Sequence, residues 1–313
     1  MDYKNMLTGH PFDDLKTVLD QLPEADTCAA KKVAEALKAK PLPEASGIGG
    51  MLTWLAHWQG KAAPAVKETH ICILASSYEG QDSASVLNYI EATSKGGAAV
   101  NLLCVDKGIG LRAIQLAPEM PHVVDGGWEA SDCMASVAFG MEATASGGDI
   151  LGLTDMAPGN DVYALAMVIG ILGYEVVAAS AIAEDEAILD AAEALVGNGS
   201  YEPLEAMRQL GGREIAASVG AIIAARSRRL PVVAEGWAAI AAVAVLEAHA
   251  KGTTDHVLAA SYDTSMQEAI WRSLGKKPLV GFPVGAGAGC GVALAISHLS
   301  AASALLGLRD HKA

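Results

Sequence analysis

The chain has 313 residues, with 22 Lys+Arg against 36 Asp+Glu, a formal net charge of −14, 51% hydrophobic residues and only 19% charged ones. So apolar a composition excludes a disordered chain, and 33 glycines among so few charges exclude a long coiled coil. The acidic balance argues against nucleic acid as a partner, which needs a basic stripe, but leaves room for a local anion site built from backbone amides.

The first sixty or so residues read as helices with breaks: 15–22, 29–37 and 51–58, with Pro41-Leu42-Pro43 as a linker. Asp2, Lys4, Asp13, Asp14 and Lys16 leave no apolar leader at the start, and the five cysteines stand at no paired spacing. Both features point to reduced thiols and a cytoplasmic setting. After Pro64 short apolar runs alternate with helical stretches, which is the pattern of βα units around a parallel sheet. Strands are expected at 70–75, 111–116, 149–154, 231–235, 256–260 and 279–282. Helices are expected near 84–92, 134–143, 162–172, 184–195, 203–210, 213–226 and 237–248, with a last one over 292–305. The strands are nearly continuous apolar runs, as expected when helices cover both faces of the sheet. The segment 278–308 carries no Asp, Glu, Lys or Arg and is long enough to cross a membrane. It also holds Pro283, glycines at alternate positions from Gly285 to Gly291, and His298. A buried strand, a glycine turn and a buried helix account for it, so no membrane partner is expected.

In such a sheet ligands bind beyond the carboxyl ends of the strands. The residues there are 76–80, 117–121, 155–160, 236–237, 261–263 and 283–291. The run 285–291 (GAGAGCG) fails the dinucleotide pattern GxGxxG and has no Walker lysine, so it names no nucleotide cofactor. Its glycines allow backbone amides to approach a ligand at a helix start, or simply tight helix packing. The turn 156–160 offers free amides to a phosphate, or an ordinary cap from Asn160. Asp155, at a strand tip, could bond a ribose hydroxyl or face water. Arg226, Arg228 and Arg229 close a helix, where cations oppose its dipole. The histidines show no metal-ligand spacing and no metal site is expected.

Several segments taken together resemble one known family. They are 49–60 (GGMLTWLAHWQG), 96–101 (GGAAVN), the turn 155–160, 211–217 (GGREIAA), 231–237 (PVVAEGW) and 287–295 (GAGCGVALA). In this order and spacing they are similar to the nicotinate-nucleotide:dimethylbenzimidazole phosphoribosyltransferases, over roughly residues 45–308. The resemblance implies a Rossmann-like parallel sheet with helices on both faces in a large domain, 65–291. It also implies a small helical domain from 1–64 with about 292–313, and a dimer. It implies transfer of phosphoribosyl from nicotinate mononucleotide to a benzimidazole-like base in assembly of the cobalamin lower ligand, without a cofactor. By position it places substrate against Ser77, Tyr78, Asp155, Pro158, Gly159, Asn160, Gly236, Gly287 and Gly289.

The departures fall in the site. Where the family carries the glutamate that accepts the proton, this chain has Ala288. The turn after the first strand, Ser76 to Gly80, matches in placement only. Asp155 is one methylene shorter than the family's glutamate. No lysine stands between Lys107 and Lys251, and the expected phosphate turn near 178–190 lacks its glycines and lysine. Stretch 261–268 departs from the family as well. Loss of a general base costs about a hundred- to ten-thousand-fold in rate. Glu235, Glu214, Glu79 and Asp263 are the acids near strand ends that could substitute, Glu235 first among them, and no catalytic residue is assured. Three functions follow: a transferase with an altered catalytic centre; a non-catalytic subunit or nucleotide- or base-binding paralogue working with an intact relative, as homodimer or heteromer; or a nicotinamide-dinucleotide enzyme, whose fingerprint is missing.

Overall fold

A computed structural model gives the protein over residues 8–40, 47–124, 128–178, 181–182, 185–197 and 199–307. The proposed linker 41–43 and part of the expected phosphate turn lie outside the described residues. Three helices come first: α1 (Pro11–Leu19), α2 (Thr27–Lys38) and α3 (Gly47–Gln59). Then follow β1 (Thr69–Ala75), α4 (Ser83–Ser94), α5 (Ala99–Lys107), β2 (Gly110–Gln115), α6 (Ala130–Met141), β3 (Ile150–Met156), α7 (Asn160–Leu172) and the short α8 (Glu175–Ala178). The chain continues through α9 (Glu186–Val196), α10 (Pro203–Leu210), α11 (Arg213–Ser227), β4 (Val232–Ala234), α12 (Trp237–His249), β5 (Val257–Ala259), α13 (Ser265–Ser273) and α14 (Cys290–Ala304).

All strand pairs are parallel, in the order β2-β1-β3-β4-β5. The alternation of strand side chains splits the core in two. Cys72, Leu74, Leu151, Leu153, Val232 and Ala234 face one cluster, with helices α7, α11 and α12. Ile71, Ile73, Ile150 and Val233 face the other, with α3, α5 and α14. Both faces are covered, which is why the strands read as unbroken apolar runs. Helix α14 touches α3 and α5 as well as β1, β3 and β4. The segment Cys290–Gly307 is long and apolar enough by composition to cross a membrane. Within this molecule its helix buries Cys290, Val292, Ala293, Ala295, Ile296 and Leu299 against that face of the sheet.

Helices α6 and α11 cross on glycine. A Cβ on Gly140 would stand 1.8 Å from the Ala217 carbonyl oxygen, and one on Gly220 would stand 1.9 Å from that of Val137. The backbones therefore meet directly.

Five of the six expected strands form. The sixth, 279–282, does not. Leu279 and Val280 donate to the carbonyls of Ala259 and Ala260 at 3.0 and 2.9 Å, and the pairing stops there. Pro278 and Pro283 bracket the run and lack N–H groups, so no ladder can extend. Helices α5, α8 and α13 lie outside the expected set. For α13 a signal exists: Thr264 and Gln267 stand at capping spacing, and the Thr264 hydroxyl accepts from the Gln267 amide at 3.2 Å.

Candidate active site

The order β2-β1-β3-β4-β5 winds outward in both directions from the β1/β3 pair, and at that switch point a ligand crevice is expected. Here side chains close it. Ser76 and Tyr78 follow β1; Asp155 and Asn160 sit at the end of β3 and the start of α7; Glu214 opens α11. The Tyr78 hydroxyl donates to Glu214 Oε1 at 2.6 Å, and Ser76 donates to Oε2. The Asn160 amide donates to Asp155 Oδ2 at 2.8 Å and to Glu214 Oε1 at 3.5 Å. The Tyr78 ring stacks on Tyr163 with centroids 4.3 Å apart. Tyr78 and Glu214 are fully buried. Burial pushes the Glu214 carboxyl up, against the bonds from Ser76 and Tyr78. Burial and the neighbouring Glu214 charge raise Asp155 to about 7.

The open space lies beside this cluster, over β3, β4 and β5. A cavity of about 270 Å³ is lined by Thr154 to Pro158, by Glu235, Gly236 and Trp237, by Asp263, Thr264 and Gln267, and by Val284, Gly287, Ala288 and Gly291. That volume lies near the lower end of the ligand-pocket range. Of the residues singled out in the sequence, Asp155, Pro158, Glu235, Gly236, Gly287 and Ala288 meet on its wall. Gly159 and Gly289 cap α7 and α14 behind it. Asn160 and Tyr78 belong to the buried cluster, and the Ser77 hydroxyl donates to the Pro118 carbonyl at 2.7 Å. Of the other acids near strand ends, Glu214 is sealed in that cluster, Glu79 is exposed, and Asp263 is exposed on the cavity lining.

Glu235 sits against the glycine run. Its Oε1 accepts from the Gly289 amide at 2.7 Å, and its Oε2 accepts from the Ser261 hydroxyl at 2.7 Å. The Ala288 carbonyl accepts from the Tyr89 hydroxyl at 2.9 Å. The backbone around Ala288 is thus pinned on both sides, with a carboxylate one residue away. Gly291 makes this possible: a Cβ there would stand 2.2 Å from Glu235 Oε2. Gly236, at φ +91°, leaves similar room for Asp155 Oδ1. Burial raises Glu235 to about 7, against the lowering by its hydrogen bonds. Cys290 is buried and its thiol is pushed up to about 11, so it packs rather than reacts.

No Lys, Arg or His stands among the described residues lining the cavity. The arginines bind elsewhere. Arg226 donates to the carbonyls of Pro23 and Thr253 at 3.1 and 2.7 Å, Arg228 to that of Thr144 at 2.7 Å, and Arg229 to that of Glu24 at 3.2 Å. Residues that sequence reasoning missed are Gln267 and Thr264, which reach the wall only because α13 follows β5.

A doubly wound parallel sheet with its cavity beyond the strand tips defines an α/β protein suited to a small nucleotide or aromatic ligand. Residues 22–308 match the family model described as Phosphoribosyltransferase. The chain is 36% identical to a nicotinate-nucleotide–dimethylbenzimidazole phosphoribosyltransferase of a Sinorhizobium species, covering 95% of this chain and 94% of the relative. It is also 36% identical to that of Rhizobium meliloti strain 1021, with the same coverage. A crystal structure of the enzyme so named from Thermus thermophilus superposes with a TM-score of 0.78 at 20% identity, over 92% of this chain and 98% of that one, and shares the fold. The chain belongs to the nicotinate-nucleotide:dimethylbenzimidazole phosphoribosyltransferase family.

Proposed function

We propose that the chain transfers phosphoribosyl from nicotinate mononucleotide to a benzimidazole-like base, with Glu235 accepting the proton that the family's glutamate takes elsewhere. One observation carries this reading: the Glu235 carboxylate lies on the cavity wall, bonded to the amide next to Ala288. A base nitrogen attacks C1′ of the donor as the bond from C1′ to the pyridinium nitrogen breaks. The leaving nicotinate takes the electron pair, and the ring proton of the base passes to Glu235. The leaving group is already cationic, so it needs no acid. A proton acceptor with an affinity near neutrality suits this step. Met156, Pro158, Trp237 and Val284 offer the aromatic ring an apolar surface. The reading includes a cytoplasmic homodimer. It also includes a large sheet domain, 65–291, and a small helical domain from 1–64 and about 292–313, joined by α14.

The test is nicotinate release from nicotinate mononucleotide with 5,6-dimethylbenzimidazole. Wild type is expected to turn over, and Glu235→Gln to lose about a hundredfold or more in kcat. A silent wild type beside an active Ala288→Glu variant would sink the role of Glu235. It would support the second reading, a non-catalytic subunit of a heteromer with an intact family member. One observation favours that alternative: among the described residues, the cavity wall has no cation for a phosphate.

A further inference from the structure

Gln267 is buried, with 4% exposure, and lines the cavity. Its Oε1 accepts from the Asp263 amide at 2.7 Å. That bond fixes the orientation of the side-chain amide, because only the oxygen can accept. Its Nε2 then has no protein partner among the described residues, and it is not sealed from solvent. Water in the cavity is the partner left to this donor, and a ligand acceptor on the wall can take that water's place. Beside it, Asp263 Oδ1 accepts from the Gly285 amide at 3.0 Å, and Asp263 lines the same cavity. A free amide donor and a carboxylate acceptor, tied together by a hydrogen bond, match a group that both accepts and donates. That group is a hydroxyl. A phosphate oxygen would instead meet Asp155, Glu235 and Asp263 with no cation among them.

We propose that Gln267, with Asp263, is the sugar-hydroxyl subsite of this cavity and holds a ribose hydroxyl of the donor nucleotide. The inference rests on the transferase reading above. In that reading the reacting C1′ comes to Glu235, the rings lie on the apolar wall, and the polar pair is left for the sugar. A hydroxyl on the acceptor base has the same chemistry and is the rival source.

The experiment is calorimetric titration of the full chain at pH 8 with nicotinate mononucleotide and its 2′-deoxy and 3′-deoxy forms. Binding is the readout because deoxygenation itself alters the reactivity of the glycosidic bond. Wild type is expected to bind at least one deoxy form about tenfold more weakly. Gln267→Met is expected to bind all three alike. Gln267→Glu keeps an oxygen for the Asp263 amide and removes the Nε2 donor, so it should also lose the preference, and a cooperative melt of each variant at pH 8 shows that it is folded. Benzimidazole and 5-hydroxybenzimidazole are expected to bind equally. The inference is overturned if wild type binds all three nucleotides within twofold, or binds none. It is also overturned if the preference survives in both variants, or if only the hydroxylated base is preferred. Nicotinate release, assayed in parallel, separates the two readings. Discrimination without release would leave this subsite standing and remove the transferase; release without discrimination would do the reverse.

Discussion

Glu235 works against its own burial. A carboxylate held near 7 is a poor acceptor below that pH and an adequate one above it. Nicotinate release should therefore rise with pH through about 7 and level off, and Glu235→Gln should lack this limb. A pH–rate profile limited by chemistry checks it. Tyr78 is the other residue to test, because its hydroxyl bonds a carboxylate sealed from water. Tyr78→Phe leaves Glu214 one donor short and should cost roughly 2 kcal/mol, read as a lower urea midpoint. Neither contact is legible in the sequence. Tyr78 and Glu214 are 136 residues apart, and the place of Tyr78 after a strand suggests a substrate contact instead. What can be read is the acid itself: Glu235 stands among the few carboxylates near strand ends.

At the scale of elements, the helix crossing of α6 and α11 is the most constrained contact. Gly220→Ala puts a methyl group into a carbonyl oxygen that belongs to a neighbouring backbone and cannot rotate away. The loss should reach about 3 kcal/mol or more, beyond ordinary overpacking, and show as a large drop in denaturation midpoint. Gly140→Ala should behave alike. Helix α10 is legible to the residue because Pro203 opens it and Gly211 follows it. The central strands are legible because both faces are buried. The run 279–282 has the same apolar look but sits between prolines, and only hydrogen-bond supply decides such a case. Helix α13 is hidden behind the expectation of a loop, and the Gln267 side of the cavity with it.

For the whole molecule, buried acids and buried histidines pull stability in opposite directions as pH changes. Glu235 is raised to about 7, so its folded state holds a proton that the unfolded chain has lost, and its contribution falls as pH rises toward 7. Burial lowers His122 to about 4 and His256 to about 3. The unfolded chain takes those protons first, so that contribution is lost as pH falls below about 6.5. The opposition flattens the total, and the difference between variants isolates one side. Glu235→Gln should gain on wild type between about pH 4.5 and 7, by a few kcal/mol in all, and hold level above. Melting temperatures at pH 5 and pH 8 read it.

The cavity wall of carboxylates, without a cation among the described residues, has a kinetic consequence. An anionic nucleotide approaching a chain of net charge −14 must climb a repulsive potential that focuses at this mouth. Most encounters of an enzyme with a charged substrate are slowed by added salt, because attraction is screened. Here screening removes a barrier. The association rate of nicotinate mononucleotide, followed by stopped-flow, should rise as ionic strength shortens the Debye length from about 30 Å to about 8 Å.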